Sequence, residues 1–173
     1  MLSIEIRKVT AADAGLLQEI GRQTFYETFA GGNTAADLKK YLEESFSVDQ
    51  LAFELADPES EFYFATLDNK VIGYLKINSG QAQTELKNEN SIEIERIYVL
   101  KEFQGRYAGH ILFEKALAVA GRSSADYVWL GVWEKNPKAI SFYRKKGFEE
   151  FDRHIFRLGS DQQTDIMMKL ELR

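Results

Sequence analysis

Between an apolar strand pattern and a helical one, the chain reads Leu100-Lys101-Glu102-Phe103-Gln104-Gly105-Arg106-Tyr107-Ala108-Gly109-His110. A glycine-containing loop that runs into a helix leaves backbone N–H groups unpaired. It also aims the positive end of the helix dipole at the same spot, which makes a phosphate cradle. Arg106 adds charge nearby. Glycines before a helix also serve in ordinary turns, so the loop alone assigns nothing. A second segment runs from Trp133 to Phe148, with Asn136 suited to an N-cap, Pro137 to the first helical position and Gly147 to the residue past the end. Asn136, Ala139, Ile140 and Tyr143 then share one helical face. That stripe carries an amide and a phenol toward a core or a cleft; a tyrosine there is also what ordinary packing uses. Upstream, Glu93 and Glu95 have the same parity on one strand and share a face, roughly 7 Å apart.

The elements that must position these residues follow from periodicity and turn signals. Residues 3–9 alternate as a short strand. Thr10 with Asp13, Thr34 with Asp37 and Ser47 with Gln50 are capping pairs that open helices. Phe62–Leu67 and Val71–Ile77 flank Asp68-Asn69 and read as a β-hairpin. Residues 79–90 read as a polar loop, 91–99 as a strand and 106–121 as a helix. Residues 127–133, YVWLGVW, are apolar almost throughout, the mark of a strand buried on both faces. A helix at 137–146, a strand from Phe148 and a last strand at 165–172 complete a mixed α/β sheet. No repeat or linker divides the 173 residues, so one domain over 1–173 is expected.

Composition narrows the classes. There is no cysteine, hence no disulfide, thiolate site or cysteine nucleophile. The two histidines, His110 and His154, are too few and too far apart for a metal site, so no metal is expected. The formal charge of −5 argues against a nucleic-acid partner. No leader pattern or apolar run of about 18 residues occurs, so no membrane partner and a cytoplasmic location are expected.

The two segments, in this order and with a strand between them, resemble the GCN5-related N-acetyltransferases (GNAT). That family has a Gln/Arg-x-x-Gly-x-Gly/Ala loop, here Gln104 to Gly109. It also has an Asn…Ala…Phe-Tyr…Gly-Phe helix, here Asn136, Ala139, Phe142, Tyr143, Gly147 and Phe148. Closer still, residues 93–99 and 128–136, Gln163-Thr164-Asp165 and Thr24 to Phe29 look like bacterial spermidine/spermine N-acetyltransferases. This likeness covers nearly the whole chain.

The resemblance implies a mostly antiparallel sheet of about seven strands flanked by helices, with the two central parallel strands splayed apart. It implies acetyl-coenzyme A as co-substrate and an amine, foremost a polyamine, as acceptor. Ile97, Tyr98 and Val99 would contact pantetheine, and Gln104, Gly105, Arg106, Tyr107, Ala108, Gly109 and His110 would surround the phosphates. Asn136 and Lys145 would also line the coenzyme. An alkyl amine is mostly protonated at neutral pH and must lose that proton before attack. Glu95 or Glu93 is the expected base, a backbone N–H near Val99 the oxyanion donor, and Tyr143 the acid for the leaving thiolate. A homodimer is compatible with the family. Another amine (an amino sugar, amino acid or protein N-terminus) is an alternative acceptor. Tyr107 stands where the loop pattern usually has its first glycine, which keeps a non-catalytic acyl-coenzyme A sensor as a further alternative.

Overall fold

The computed structural model describes residues 3–87 and 89–172. The elements run β1 (Ile4–Lys8), α1 (Ala14–Phe29), α2 (Ala35–Ser45), α3 (Val48–Leu55), β2 (Ser60–Leu67), β3 (Lys70–Ser79), β4 (Ser91–Val99), α4 (Ala108–Ser123), β5 (Tyr127–Trp133), α5 (Pro137–Lys145), β6 (Glu149–Leu158) and β7 (Asp161–Glu171). The expected capping residues do their work. The Thr34 and Ser47 side chains accept from the amides of Asp37 and Gln50, each at 3.1 Å. Thr10 and Asp13 form a reciprocal capping box on a single 3-10 turn that leads into α1. Asp68 and Asn69 both have positive φ, the two-residue turn that matches hairpin twist.

The seven strands form one sheet in the order β1-β2-β3-β4-β5-β7-β6, antiparallel except for β4 and β5. Helices cover both faces. On one face α4 and α5 pack over Leu75, Ile94, Leu112, Leu130, Val132 and Tyr143. On the other, α1 to α3 cover an aromatic core of Phe25, Phe29, Phe46, Phe62, Phe64, Tyr74 and Trp133. Among the described residues no helix is long and apolar enough to cross a membrane.

Two expected boundaries move. The fourth helix begins at Ala108 rather than at 106, because Gly105 and Tyr107 both adopt positive φ, +80° and +68°, and break the helical path. The last strand begins at Asp161 rather than at 165, since its hairpin with β6 turns tightly through Gly159 and Ser160. The Asp37 carboxylate anchors that turn by accepting from the Ser160 amide and hydroxyl.

Candidate active site

The parallel pairing of β4 with β5 covers only Ser91 to Glu93, opposite Tyr127 to Trp129. Beyond Glu93 the strands diverge, while β5 keeps its full pairing with β7. A cleft of about 490 Å³ opens in the gap, lined by Ile94, Glu95, Ile97, Tyr98 and Val99 of β4 and by Leu130 to Trp133 of β5. The part of β4 that has lost its β5 partner offers unpaired backbone groups to whatever enters the cleft.

A bulge in β4 decides which side chains reach which side. Ile94 lies opposite Ile77 and Arg96 opposite Lys76, so Glu95 is the extra residue. Parity therefore flips there. Ile92, Ile94, Ile97 and Val99 join the core under α4 and α5. Tyr98 joins the aromatic core under α1, and Glu93, Glu95 and Arg96 bond with Asn78, Lys76 and Glu54 of β3 and α3.

On the α4–α5 side, Gln104, Gly105, Tyr107, Gly109, His110, Asn136 and Lys138 line the cleft mouth. The left-handed backbone at Gly105 and Tyr107 turns the chain into the N-terminus of α4. The Tyr107 ring faces outward, 75% exposed, with its edge against His110. A side chain thus occupies a conformation that glycine adopts freely, at a cost of roughly 1–2 kcal/mol. At Gly109 a Cβ would meet only Val99 Cγ2, at an ordinary contact distance of 4.0 Å. Asn136 caps α5 by accepting from the Ala139 amide at 3.2 Å.

The structure spreads the remaining expected contacts. Ala108 is buried in the core below the loop, and Arg106 lies over the Phe103 ring, centroid distance 5.7 Å. Lys145 lies away from the cleft, beside Pro137, Ile140, Ser141 and Arg144 on another side of α5. Lys138 takes the position at the cleft mouth and reaches Gln104 Oε1 at 3.2 Å. His110 Nδ1 is 2.5 Å from Lys146 Nζ, which also lies over the Phe113 and Phe142 rings.

Tyr143 comes to the cleft from the inner face of α5, between the rings of Phe142 and Phe148. It is 7% exposed. Burial raises its phenol well above the ordinary value, so it stays protonated at neutral pH.

The two glutamates have different surroundings. Glu95 lines the cleft and Glu93 lies behind it. Asn78 Nδ2 joins them, donating to Glu95 Oε1 at 2.8 Å and Glu93 Oε1 at 3.0 Å. Glu93 also accepts from the Thr84 amide at 2.8 Å and the Thr84 hydroxyl at 2.6 Å. Burial raises the Glu93 carboxyl above its ordinary value, despite these donors. Glu95 belongs to a closed ring of four charges. Lys76 Nζ contacts Glu54 at 2.7 Å and Glu95 at 2.8 Å, and Arg96 contacts Glu54 at 3.0 Å and Glu95 at 3.1 Å. Burial works to raise Glu54 and Glu95, but Arg96 and Lys76 outweigh it and hold both carboxylates low.

Several residues of the site carry weak sequence signals. Thr28 and Phe29 at the end of α1 close the far side of the cleft. Phe29 packs on Trp133, ring centroids 4.9 Å apart. Gly32 leaves space for that indole, because a Cβ there would lie 2.7 Å from Trp133 Cη2. The polar segment before β4 is more ordered than a plain loop. Gln83 Oε1 accepts from Trp129 Nε1 and Ser91 Oγ, both at 2.8 Å. Thr84 caps Glu93 and Glu85 reaches His154. Among the described residues no group of side chains could hold a metal ion.

The description "Acetyltransferase (GNAT) family" matches residues 22–148. Over 172 residues, covering 99% of each chain, the sequence is 42% identical to "Uncharacterized N-acetyltransferase in pepI 3'region" of Lactobacillus delbrueckii subsp. lactis. It is 28% identical over 156 residues, 87% of this chain and 91% of the relative, to spermidine N(1)-acetyltransferase of Thermoplasma acidophilum. The structure of the PaiA N-acetyltransferase of Thermoplasma acidophilum, in complex with coenzyme A, superposes with a TM-score of 0.80 at 24% identity, over 98% of this chain and 99% of that one. The splayed parallel pair, the loop at the start of α4 and the capped α5 belong to this fold, and the chain belongs to the acetyltransferase (GNAT) family as an N-acetyltransferase that uses acetyl-coenzyme A.

Proposed function

We propose that this enzyme acetylates a primary amine, with polyamines such as spermidine as the foremost acceptors. The observation that carries the reading is that a protonated phenol, Tyr143, and an ionised carboxylate, Glu95, open on one cleft from opposite faces of the sheet. The residues fit coenzyme A: the unpaired edge of β4 suits an amide-bearing pantetheine arm. The turn through Gly105 to His110, with Lys138 beside it, suits the phosphates at the start of α4.

Acetyl-coenzyme A supplies a thioester acyl group at the splay. The chain's residues do the rest. Glu95, on the α1 side of the cleft, takes the acceptor ammonium's proton through water, which frees the nitrogen lone pair. The C–N bond forms as the C–S bond breaks, and Tyr143 protonates the departing sulfur. The second proton, shed by the new amide nitrogen, restores the Tyr143 phenol through water, and Glu95 returns its proton to solvent. Glu93 supports Glu95 through Asn78 rather than meeting the acceptor. The aromatic walls of Phe29, Tyr98 and Trp133 favour an alkylammonium over an anionic acceptor. This balance, with the likeness to a spermidine acetyltransferase, supports a polyamine ahead of an amino acid or amino sugar.

Release of free coenzyme A thiol with spermidine, spermine, amino sugars, amino acids and N-terminal peptides tests the assignment. Turnover highest with the polyamines supports it. Turnover confined to the other amines overturns the polyamine reading, and coenzyme binding with no turnover on any amine overturns amine acetylation.

A further inference from the structure

Trp133, Asp165 and His154 form a row across β5, β7 and β6, with Asp165 opposite both of the others in register. Residues opposite one another share a face, with Cβ atoms roughly 4.5–5.5 Å apart. Asp165 therefore stands beside Trp133 on the α1 face of the sheet, where Trp133 lines the cleft.

Three features mark this corner as built for a cation. First, its charges do not balance. His154 lies between two carboxylates, with Nδ1 2.7 Å from Glu85 and Nε2 3.4 Å from Asp165. A protonated imidazole offsets one of them and leaves one negative charge over. Second, Gly131 is exposed to the cleft inside an otherwise buried stretch of β5. A Cβ there would lie 3.3 Å from His154 Cε1 and 3.4 Å from Asp165 Oδ2, so the Asp165 carboxylate stands next to the cleft-lining backbone of Gly131. Third, Trp133 lines the cleft and lies opposite Asp165 in register, and an indole ring attracts a cation over its face. Nearby Tyr98, which also lines the cleft, feels the Asp165 charge after burial and Tyr41 as a cause of its raised phenol.

We infer that Asp165 is a specificity-determining residue of the acceptor site, holding a second ammonium group of a di- or polyamine beside Trp133 while the first amine is acetylated at the splay. The inference rests on the amine-acetylating reading. The carboxylate discriminates because a monoamine leaves its charge unmatched, whereas a diamine supplies the missing cation. Glu95 and Asp165 then hold the two ends of one acceptor on one face of the sheet.

The test compares a monoamine (n-butylamine) with diamines (1,3-diaminopropane, putrescine and cadaverine) in the wild type, Asp165→Asn and Asp152→Asn. The last removes the same charge from an exposed position on β6. The readout is the preference, kcat/KM for diamine over kcat/KM for monoamine. Each protein is its own reference, so incomplete folding does not alter the ratio. Loss of one charged hydrogen bond is expected to lower the preference on the order of tenfold or more in Asp165→Asn, mostly through KM, with Asp152→Asn keeping it. An unchanged preference in Asp165→Asn, or an equal fall in Asp152→Asn, overturns the inference and leaves amine acetylation standing. Calorimetric titration of putrescine into the coenzyme A complex decides the case without turnover. Binding that weakens on the order of tenfold in Asp165→Asn supports the inference, and binding that is unchanged overturns it. Absence of wild-type binding overturns it.

Discussion

Lys76 Nζ meets Glu95 Oε1 at 2.8 Å across β3 and β4, with the two side chains 7% and 18% exposed. A lysine at such depth is held by its partners. Here Glu54 supplies a second carboxylate from α3, and Arg96 closes the ring. The ring is electrically neutral and joins α3 to the β4 bulge, so the Glu95 carboxylate that lines the cleft is fixed by an element far from it in sequence. Lys76→Met leaves two buried carboxylates to share Arg96. The expected loss is roughly 3–5 kcal/mol of stability, measured by urea denaturation, together with a fall in kcat. Simultaneous Glu54→Gln should recover part of the stability by removing one of the two uncompensated charges.

The same ring predicts a direction for acid denaturation. Glu54 and Glu95 are depressed in the folded state by Arg96 and Lys76, against burial. Their contribution to stability is present above the unfolded carboxylate value and is lost as pH falls through the depressed folded values. Denaturation midpoints measured from pH 7 down to pH 3 should therefore fall more steeply for the wild type than for Lys76→Met, where that depression is relieved.

His154 predicts the opposite slope. The hydrogen bond to Asp165 raises its imidazole, burial opposes this, and Glu85 adds to the rise. A group raised on folding contributes stability that is complete below its unfolded value, about 6.5, and that disappears as pH rises through its folded value. The melting-temperature gap between wild type and His154→Gln should be widest near pH 6 and narrow toward pH 9.

Tyr107 at φ +68° makes a backbone prediction. Its ring is exposed, so little packing is lost on substitution. Tyr107→Asn, which tolerates the left-handed region, should raise stability by up to about 1 kcal/mol. Tyr107→Val, with a branched Cβ, should lower it. Thermal melts of both check the sign.

Gly32 tests the cleft wall formed by Phe29 and Trp133. A methyl there would press on Trp133 Cη2 from 2.7 Å. Gly32→Ala should cost about 1–3 kcal/mol by overpacking and shift the tryptophan emission, since only Trp129 and Trp133 report and Trp129 is tied to Gln83 on another part of β5.

Much of this arrangement was legible in the residues, and the reasons differ by element. The strand 91–99 and the helix from Pro137 are bounded by sharp local signals, and both lie where the periodicity and caps put them. Parity correctly put Glu93 and Glu95 on one face, where both meet Asn78. It could not foresee the bulge that brings Arg96 and Tyr98 to that face as well. The alternation of Lys76 and Asn78 with Leu75 and Ile77 was the available signal for a buried polar pair, but only register with β4 reveals its partners. Residues 83–85 read as polar loop because their order comes from distant Trp129, Glu93 and His154. Thr28 and Phe29 were hidden for the same reason: α1 meets β5 only in the folded chain.

If Glu95 and Tyr143 act from opposite faces of one splay, as base and acid for acetyl transfer to an amine, thiol release depends on both. The most direct measurement is thiol release at saturating acetyl-coenzyme A and spermidine by wild type, Glu95→Gln and Tyr143→Phe. The expected result is brisk release by the wild type, with kcat lowered roughly 10²–10⁴-fold in each variant and coenzyme A affinity nearly kept. Wild-type rates in Tyr143→Phe or Glu95→Gln would rule out those roles.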